Sequence, residues 1–600
     1  MQRLEYIFCV NMCFLYGFLS NYRQGVVLIM FCYLFEAKSI QSYLFRNGKL
    51  KDVIAASERL DRLVDSSESS VLHYVLNNAG LISDLLSPDM EEKAGLIRFL
   101  RCKGGAFYAY CAEEAPLVQL RSLWTLSIQQ LFPTLEFTDA LTEAPSLREA
   151  VSAGHKQLAA DRNAPVIKLP FASAITSRYQ RTGAVRVPVI EDAKRASLKS
   201  ELEDDTFDLD TSLHRQAYQV IGLRNTSPLQ QRFTPTGHDE IYYPINIEED
   251  FAFSASGVIG DNSDAAKDIA LIHIDGNGLG ILLMAMRDAL EGKTDEEYRK
   301  GFRLFSESLG EATIQAAREA TAVVYEHGRY NKDGKTYLPM RPLVLGGDDL
   351  TLLCRADLAL EYSRVFCQTF KKASEQCLKP LFRQYLKKTS LKPFLTASGG
   401  VLFHKAGHPF THSHHLVESL CDAAKKLTKS VNETDKQVGP AALAIFRLSN
   451  AVSDDFEQLH KQTYQFDLDN KRSIAYAQSA FFVEPQGQRG SLELLQRLAK
   501  CCRQRGAVMP MNRWRQMATW LSQGNFAEAD RLYERAMSLT TQPMLREELE
   551  EMLRAFAPEG KATGWFWHKE KGVSESIIGD LLIVDHFRPV EAPVSKEAEL

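Results

Sequence analysis

The stretch RPLVLGGDDLTLLC, Arg341 to Cys354, decides the fold. Two apolar runs of strand length flank Gly346-Gly347, and glycine supplies the backbone angles of a tight turn. Asp348 and Asp349 follow at once, so a hairpin here carries two carboxylates at its tip. Upstream by 73 residues from Asp348, the apolar strand IALIHID ends in Asp275 and runs into the glycine-rich GNGLG, Gly276 to Gly280.

Hard cations such as Mg2+ and Mn2+ take oxygen ligands, shared among one or two carboxylates, phosphate oxygens and water. The two strand ends are therefore read as holding two such ions, Mg2+ or Mn2+, against a triphosphate. One ion activates a ribose hydroxyl and the other steadies the leaving pyrophosphate. Asp275, Asp348 and Asp349 are the expected catalytic residues, with Asp275 and Asp348 as metal ligands. Asp349 is either a further ligand or a group that orients Asp348. Gly276, Asn277, Gly278, Gly346 and Gly347 are expected at the nucleotide, because glycines let phosphate approach the backbone.

The same order of elements occurs earlier. Strand MFCYLFE (Met30 to Glu36) leads through helical sequence to RFLRCKGGAFYAYC (Arg98 to Cys111), which reads as a hairpin turning at Gly104-Gly105. Glu36 and Ala106 are 70 residues apart, against 73 for Asp275 and Asp348. Each hairpin is followed by an amphipathic helix, a strand and a further helix. The expected fold class is α+β, with two ferredoxin-like palm domains, the first degenerate and the second active. Ala106 and Phe107 stand where the second copy has its aspartates, so the first copy is expected to be catalytically silent.

Five segments follow. Residues 1–29 are an N-terminal extension, with Met30 as the expected natural start. Residues 30–160 form the degenerate palm, 161–267 an insert domain and linker with an acidic patch at Glu201 to Asp210, and 268–450 the second palm. Residues 451–600 are expected to be a helical bundle ending in a frayed tail. A chain of 600 residues, 45% hydrophobic and 24% charged, has the composition of a soluble multidomain protein. Its net charge of −5 excludes an all-round basic surface without excluding a basic groove. Eleven cysteines without a C-x-x-C pair give neither a zinc ribbon nor a disulfide framework, and fit a reducing cytoplasm. The apolar run Tyr6 to Leu19 is 14 residues, too short to span a bilayer.

These motifs resemble the large polymerase-like subunit of type III CRISPR effector complexes, which has a degenerate and an active palm, the latter with a GGDD turn. The likeness runs from Met30 to the C-terminal helices. AKSIQSYLFRNGKLKDVIAASERL is similar to the family's opening palm helix, HIDGNGLG to its DGDxMG element, and TASGGVLFHKAGHPF with LVESLCDAAKKLTKS to its last palm strand and helix. The resemblance implies a nucleotidyltransferase that converts ATP to cyclic or short oligoadenylate signals in antiviral defence, with RNA and RNA-binding effector subunits as partners. It also implies that Lys425 reaches the triphosphate, with Lys426 as the fallback. The chain departs from the family at Asn277, where a second aspartate is usual, and at TSRYQRTG (Thr176 to Gly183), which has no cysteines and is expected to bind no zinc. It also enters the palm directly at Met30, with no nuclease domain expected before it.

His404, His408, His412, His414 and His415 lack an H-E-x-x-H core and read as surface histidines. Arg497, Lys500, Arg503, Arg505, Arg513 and Arg515, interleaved with Trp514, form a basic cluster that either binds RNA or is a solvated helix face. Two competing functions stand beside the leading one: a non-catalytic nucleotide-binding scaffold, favoured by Asn277, and a diguanylate-cyclase-like enzyme using GTP.

Overall fold

The structure is a computed structural model. It describes residues 29–65, 68–87, 93–163, 175–186, 207–221, 227–238, 240–245, 247, 251, 268–408, 410–431, 437–449, 455–469, 472–486, 490–557, 562–568 and 572–588. The N-terminal extension with its apolar run, most of the acidic patch and the C-terminal tail lie outside the described residues.

The first elements are β1 (Met30–Lys38), α1 (Ile40–Phe45), α2 (Leu50–Asp61), α3 (Val71–Asn78), β2 (Arg98–Lys103), β3 (Ala106–Cys111), α4 (Glu114–Leu131), β4 (Glu136–Ala144) and α5 (Leu147–Asn163). There follow α6 (Leu209–Ile221), α7 (Pro228–Phe233), β5 (Ile241–Tyr242), β6 (Asp268–Asn277), α8 (Leu279–Ala289), α9 (Asp295–Gly328), β7 (Tyr330–Lys332), β8 (Lys335–Tyr337), β9 (Met340–Gly346), β10 (Asp349–Arg355), α10 (Ala356–Gln384), β11 (Thr396–Lys405), α11 (Phe410–Lys429) and β12 (Ala442–Arg447). The last are α12 (Phe456–Tyr464), β13 (Gln465–Asp469), β14 (Arg472–Ala475), β15 (Ala480–Phe482), α13 (Leu492–Arg503), α14 (Met511–Ser522), α15 (Phe526–Leu539), α16 (Pro543–Arg554), β16 (Ala562–Thr563), β17 (Phe566–His568), β18 (Val573–Glu575) and α17 (Ile578–His586).

The chain is mixed α+β and falls into two compact units. The first takes residues 1–38, 64–167 and 293–300. Its sheet has the order β2-β3-β1-β4, with antiparallel neighbours throughout. Phe35, Phe107 and Trp124 interlock between sheet and α4, with ring centroids 5.2 to 5.5 Å apart. Each such pair contributes about 0.5–1.5 kcal/mol beyond its buried area. Gly104 and Gly105 both take positive φ, so the β2–β3 turn closes where the Gly-Gly pair stands. At the end of β1 Glu36 lies opposite Ala106, accepts a 2.5 Å hydrogen bond from the Tyr108 hydroxyl, and pairs with the Arg162 guanidinium. Its carboxylate is occupied internally.

The second unit takes residues 39–63, 168–292 and 301–600. Its six-stranded sheet has the order β15-β12-β11-β6-β10-β9, so β9-β10-β6-β11 repeats the order and antiparallel sense of β2-β3-β1-β4. β6 is central, and Asp268 to Ile274 is buried residue after residue, as in a strand covered on both faces. α1 and α2 follow β1 in the chain but pack in this second unit. The Ser57 hydroxyl of α2 donates to the Leu343 carbonyl of β9, and Glu58 meets Arg341, both side chains about 1% exposed.

The region after residue 450 contains the expected helices α13 to α16, but it is not purely helical. β13-β14-β18-β17-β16 form a five-stranded sheet, and β15 joins the six-stranded one. Strands of two to five residues leave too little periodicity to read, and their partners are distant in the chain. Among the described residues no helix is long and apolar enough to cross a membrane.

Candidate active site

The buried run of β6 ends at Ile274, and Asp275 is the first half-buried residue of the strand, still paired with β11. In β10, Leu350 lies opposite Ile274, so one step further out Asp349 stands beside Asp275 on the neighbouring strand. Asp348 occupies the turn between β9 and β10, where Gly347 has φ +61°. The Thr313 hydroxyl of α9 donates to the Gly347 carbonyl at 2.6 Å and holds that turn. Gly276 has to be glycine for a steric reason: a Cβ there would lie 2.6 Å from Asp348 Oδ2 and 2.7 Å from its Cβ. Gly276→Ala is expected to displace Asp348 and to lower nucleotide turnover by about 100-fold while leaving the unfolding temperature nearly unchanged, since a misplacement of ~1 Å costs that much. A turnover assay beside thermal unfolding checks it, and unchanged turnover refutes it.

On the other side of β6, Ser398 of β11 lies opposite Asp275 and Thr396 opposite Asn277. The Asn277 amide donates to both hydroxyls, at 2.8 Å to Ser398 and 3.1 Å to Thr396. Its donor group thus fastens β6 to β11. Gly400 lies opposite His273, and a Cβ there would come 2.6 Å from the Val417 carbonyl. The missing side chain lets α11 lie directly on the sheet. Two turns further along, Lys425 Nζ reaches Asp275 Oδ2. Lys426 points elsewhere and pairs with exposed Glu457, so of the two lysines Lys425 is the one brought to the carboxylates. Gly278 takes φ +88° over the Val438 side chain, and α8 begins beyond it without a side-chain cap. Its first amide groups and helix dipole therefore favour an anion near this strand tip.

Electrostatics set the character of the site. Burial pushes the Asp348 carboxyl up to about 7, helped by the charges of Asp275 and Asp349 and opposed by Lys425. Burial also pushes Asp349 up to about 7, with Asp275 adding and Lys425 and a Gln41 hydrogen bond opposing. Burial pulls Lys425 down, but its hydrogen bond to Asp275 and the charge there hold it above the ordinary lysine value. Asp349 Oδ1 is buried and accepts no hydrogen bond among the described residues, with His273 Nδ1 at 3.4 Å. Crowded carboxylates that hold protons too tightly, with one buried oxygen lone, suit a hard divalent cation. The donors fit Mg2+ or Mn2+. The three carboxylates do not converge within 4.8 Å; the group of three that does, among the described residues, is His414, His415 and Glu418.

These shifts have a sign. A carboxyl raised in the folded state contributes stability below its unfolded value near 3.8, and loses it as pH rises through about 7. In EDTA at pH 8, an Asp348→Asn, Asp349→Asn variant is expected to melt above the wild type. After allowing for the solvent reaching these side chains the gain is about 1–2 kcal/mol, and it shrinks as pH falls toward 4. Mg2+ should raise the wild-type melting temperature and not the variant's. Equal melting of the two proteins across that pH range refutes the assignment.

Three residues of the site carry no signal in the sequence. Gln41 of α1, 308 residues from Asp349, donates from Nε2 to Asp349 Oδ2 at 3.3 Å, and its Oε1 lies 3.1 Å from His414 Nε2. His273 Nδ1 lies 3.0 Å from the Thr351 hydroxyl. The expectation of surface histidines is corrected for His404 and His414, both 2% exposed. His404 ends a buried strand and His414 sits on the inner face of α11, which amphipathic spacing around a loop does not disclose.

No family model matches this chain, and no curated protein matches it. Solved structures of Csm1 resemble it. A Csm1-Csm4 cassette in complex with cA3 has 12% identity and a TM-score of 0.45, over 94% of this chain and 71% of that one. Csm1 in T.onnurineus has 13% identity and a TM-score of 0.39, over 88% of this chain and 70% of that one. The Csm1-Csm4 cassette in complex with AMPPNP has 13% identity and a TM-score of 0.38, over 79% of this chain and 62% of that one, so this chain spans less than two thirds of its length. Csm1 is a subunit of type III CRISPR Csm complexes.

Part of the basic cluster of the C-terminal region is paired with acidic partners. Arg503, Arg515 and Arg588 converge on buried Asp585, and Arg497 pairs with Glu548. Trp514 is 1% exposed and donates to Cys502 Sγ at 3.3 Å, so its ring is not available for stacking on a base.

Proposed function

We propose that this chain is a divalent-metal-dependent nucleotidyltransferase, with a palm built on β6, β9, β10 and β11, that joins ATP into cyclic or short oligoadenylates within an antiviral RNA-binding complex. The observation that carries the reading is the arrival of Asp275 and Asp349 side by side on adjacent strands, with Asp348 packed over Gly276. The preference for ATP and the oligoadenylate product rest on the motif resemblance alone.

In the reaction a ribose 3′ oxygen bonds to the α-phosphorus of a second triphosphate, the bond to pyrophosphate breaks, and the hydroxyl proton leaves to solvent. Mg2+ or Mn2+ held by Asp275 and Asp348 supplies Lewis-acid activation when bound. Gln41 fixes the direction of the Asp349 carboxylate through its amide. Lys425, resting on Asp275, exchanges that contact for a phosphate oxygen when triphosphate arrives. Gly276 and Gly278 leave room for phosphate, and the uncapped start of α8 donates to it.

Incubating the purified chain with labelled ATP or GTP and Mn2+, with and without RNA activators, tests the proposal by mass spectrometry of the products. Linked adenylates support it, a cyclic guanylate supports the diguanylate-cyclase-like reading, and no product from either nucleotide overturns both. The scaffold reading is favoured by the commitment of the Asn277 amide to Ser398 and Thr396. Nucleotide binding by calorimetry without turnover under any activator would decide for it.

A further inference from the structure

We propose that His414, His415 and Glu418 of α11 form a second, separate binding site for a transition-metal dication of the Zn2+, Co2+ or Ni2+ class. Residues three and four apart on a helix face the same way, so His415 and His414 both aim at Glu418. Glu418 Oε2 lies 3.5 Å from His414 Nδ1 and 3.8 Å from His415 Nδ1, and the three donor atoms lie within 4.8 Å of one another. Metal bonds of about 2.0–2.2 Å in a tetrahedral shell separate their donors by roughly 3.4 Å. The spacing therefore needs little adjustment.

The hydrogen-bond network supplies a second, independent reason. The Gln41 amide nitrogen donates to Asp349 Oδ2, and Gln41 Oε1 faces His414 Nε2. His414 Nε2 must then carry the ring proton, which leaves a bare lone pair on Nδ1. That lone pair is aimed at a carboxylate, and two acceptors facing each other repel unless a cation or a proton lies between them. A dication held by that nitrogen and the Glu418 carboxylate removes the repulsion. A ligating histidine whose other nitrogen donates to an amide oxygen is the usual arrangement that fixes its tautomer. Phe45 lies tilted by 31° against the His414 ring, with centroids 3.9 Å apart, and restricts its rotation.

Two imidazoles and one carboxylate select a borderline-soft ion over Mg2+ and leave a fourth position for water. The His415 and Glu418 side chains are 54% and 39% exposed, so an ion reaches the site from solvent. Because Gln41 links His414 to Asp349, an ion here also fixes the amide that orients a carboxylate of the proposed catalytic turn.

The test is titration of the full-length, chelator-treated protein with Co2+, followed by its visible absorption and by the stoichiometry of binding. One equivalent with imidazole-type bands is expected in the wild type and in Asp348→Ala, Asp349→Ala protein. His415→Ala, Glu418→Gln protein changes only solvent-facing groups, and should bind that equivalent at least about tenfold more weakly with unchanged circular dichroism. The proposal is overturned if the wild type shows no such bands, or if the His415→Ala, Glu418→Gln protein binds Co2+ equally well. Both readouts are independent of nucleotide turnover, so failure here leaves the proposed activity standing, and the reverse.

Discussion

Protein carrying Asp348→Ala and Asp349→Ala is expected to lose nucleotide joining by about a thousandfold or more, while folding as well as the wild type. Metal-held charge stabilises a phosphoryl-transfer transition state by several kcal/mol, and each ~1.4 kcal/mol is a tenfold change in rate. Asp275 would remain on its own, paired with Lys425, which is too little to hold cations against a triphosphate. Folding is spared because these carboxylates oppose rather than support the fold at neutral pH: both are pushed up to about 7 by burial and by the charge of Asp275. Product formation by mass spectrometry and melting in EDTA should therefore move in opposite directions, activity down and stability slightly up. Retained product formation would remove the hairpin from the chemistry. Lost activity with a collapsed melting curve would give the two aspartates a structural role instead.

The second large effect concerns stability. Arg341→Met is expected to cost about 3–5 kcal/mol at pH 8, because removing one partner of a buried pair leaves the other charge stranded. Arg341 is fully enclosed, donates to the Tyr243 carbonyl at 3.0 Å and faces Glu58 at 3.5 Å. Glu58 in turn accepts from the Ser227 hydroxyl at 2.8 Å. Burial lifts the Glu58 carboxyl to about 6, against the pull of Arg341 and Ser227. The sign follows: a raised carboxyl supports the fold below its unfolded value near 4.5 and less as pH rises through 6. In the variant the carboxyl rises further, so the loss should be smaller at pH 5, where protonation removes the stranded charge. Arg303→Ala, which breaks a solvent-exposed helical pair with Glu307, should cost no more than about 0.5 kcal/mol. Denaturant midpoints at the two pH values decide, and equal losses for Arg341→Met at both would overturn the assignment.

The strand tips were legible in the sequence because their signals are local. Gly346-Gly347 marks a turn, and an unbroken apolar run into Asp275 marks a central strand. The duplicated order of elements was legible for the same reason, since both sheets place the hairpin and the following strand alike. Gln41 was not, because nothing in IQSYLF distinguishes a helix that touches its own strand from one whose partner is hundreds of residues away. Nor was the pairing of Arg503 and Arg515: a row of surface arginines gives no sign that Asp585, buried on a distant helix, gathers them. The C-terminal sheet escaped because a strand of three residues such as Val573–Glu575 presents no alternation to count.

The seating of α2 in the second unit has a consequence for how the protein is made. Ser57 and Leu343 are 286 residues apart, which at the usual pace of a ribosome is a wait of on the order of 15–60 s. For about the first half of that interval the nascent helix displays Asp52 before its countercharge Arg215 is translated, and for nearly all of it Glu58 waits for Arg341. The helix therefore waits for the hairpin bearing the aspartates, whose final setting depends on the retention of a segment synthesised long before it.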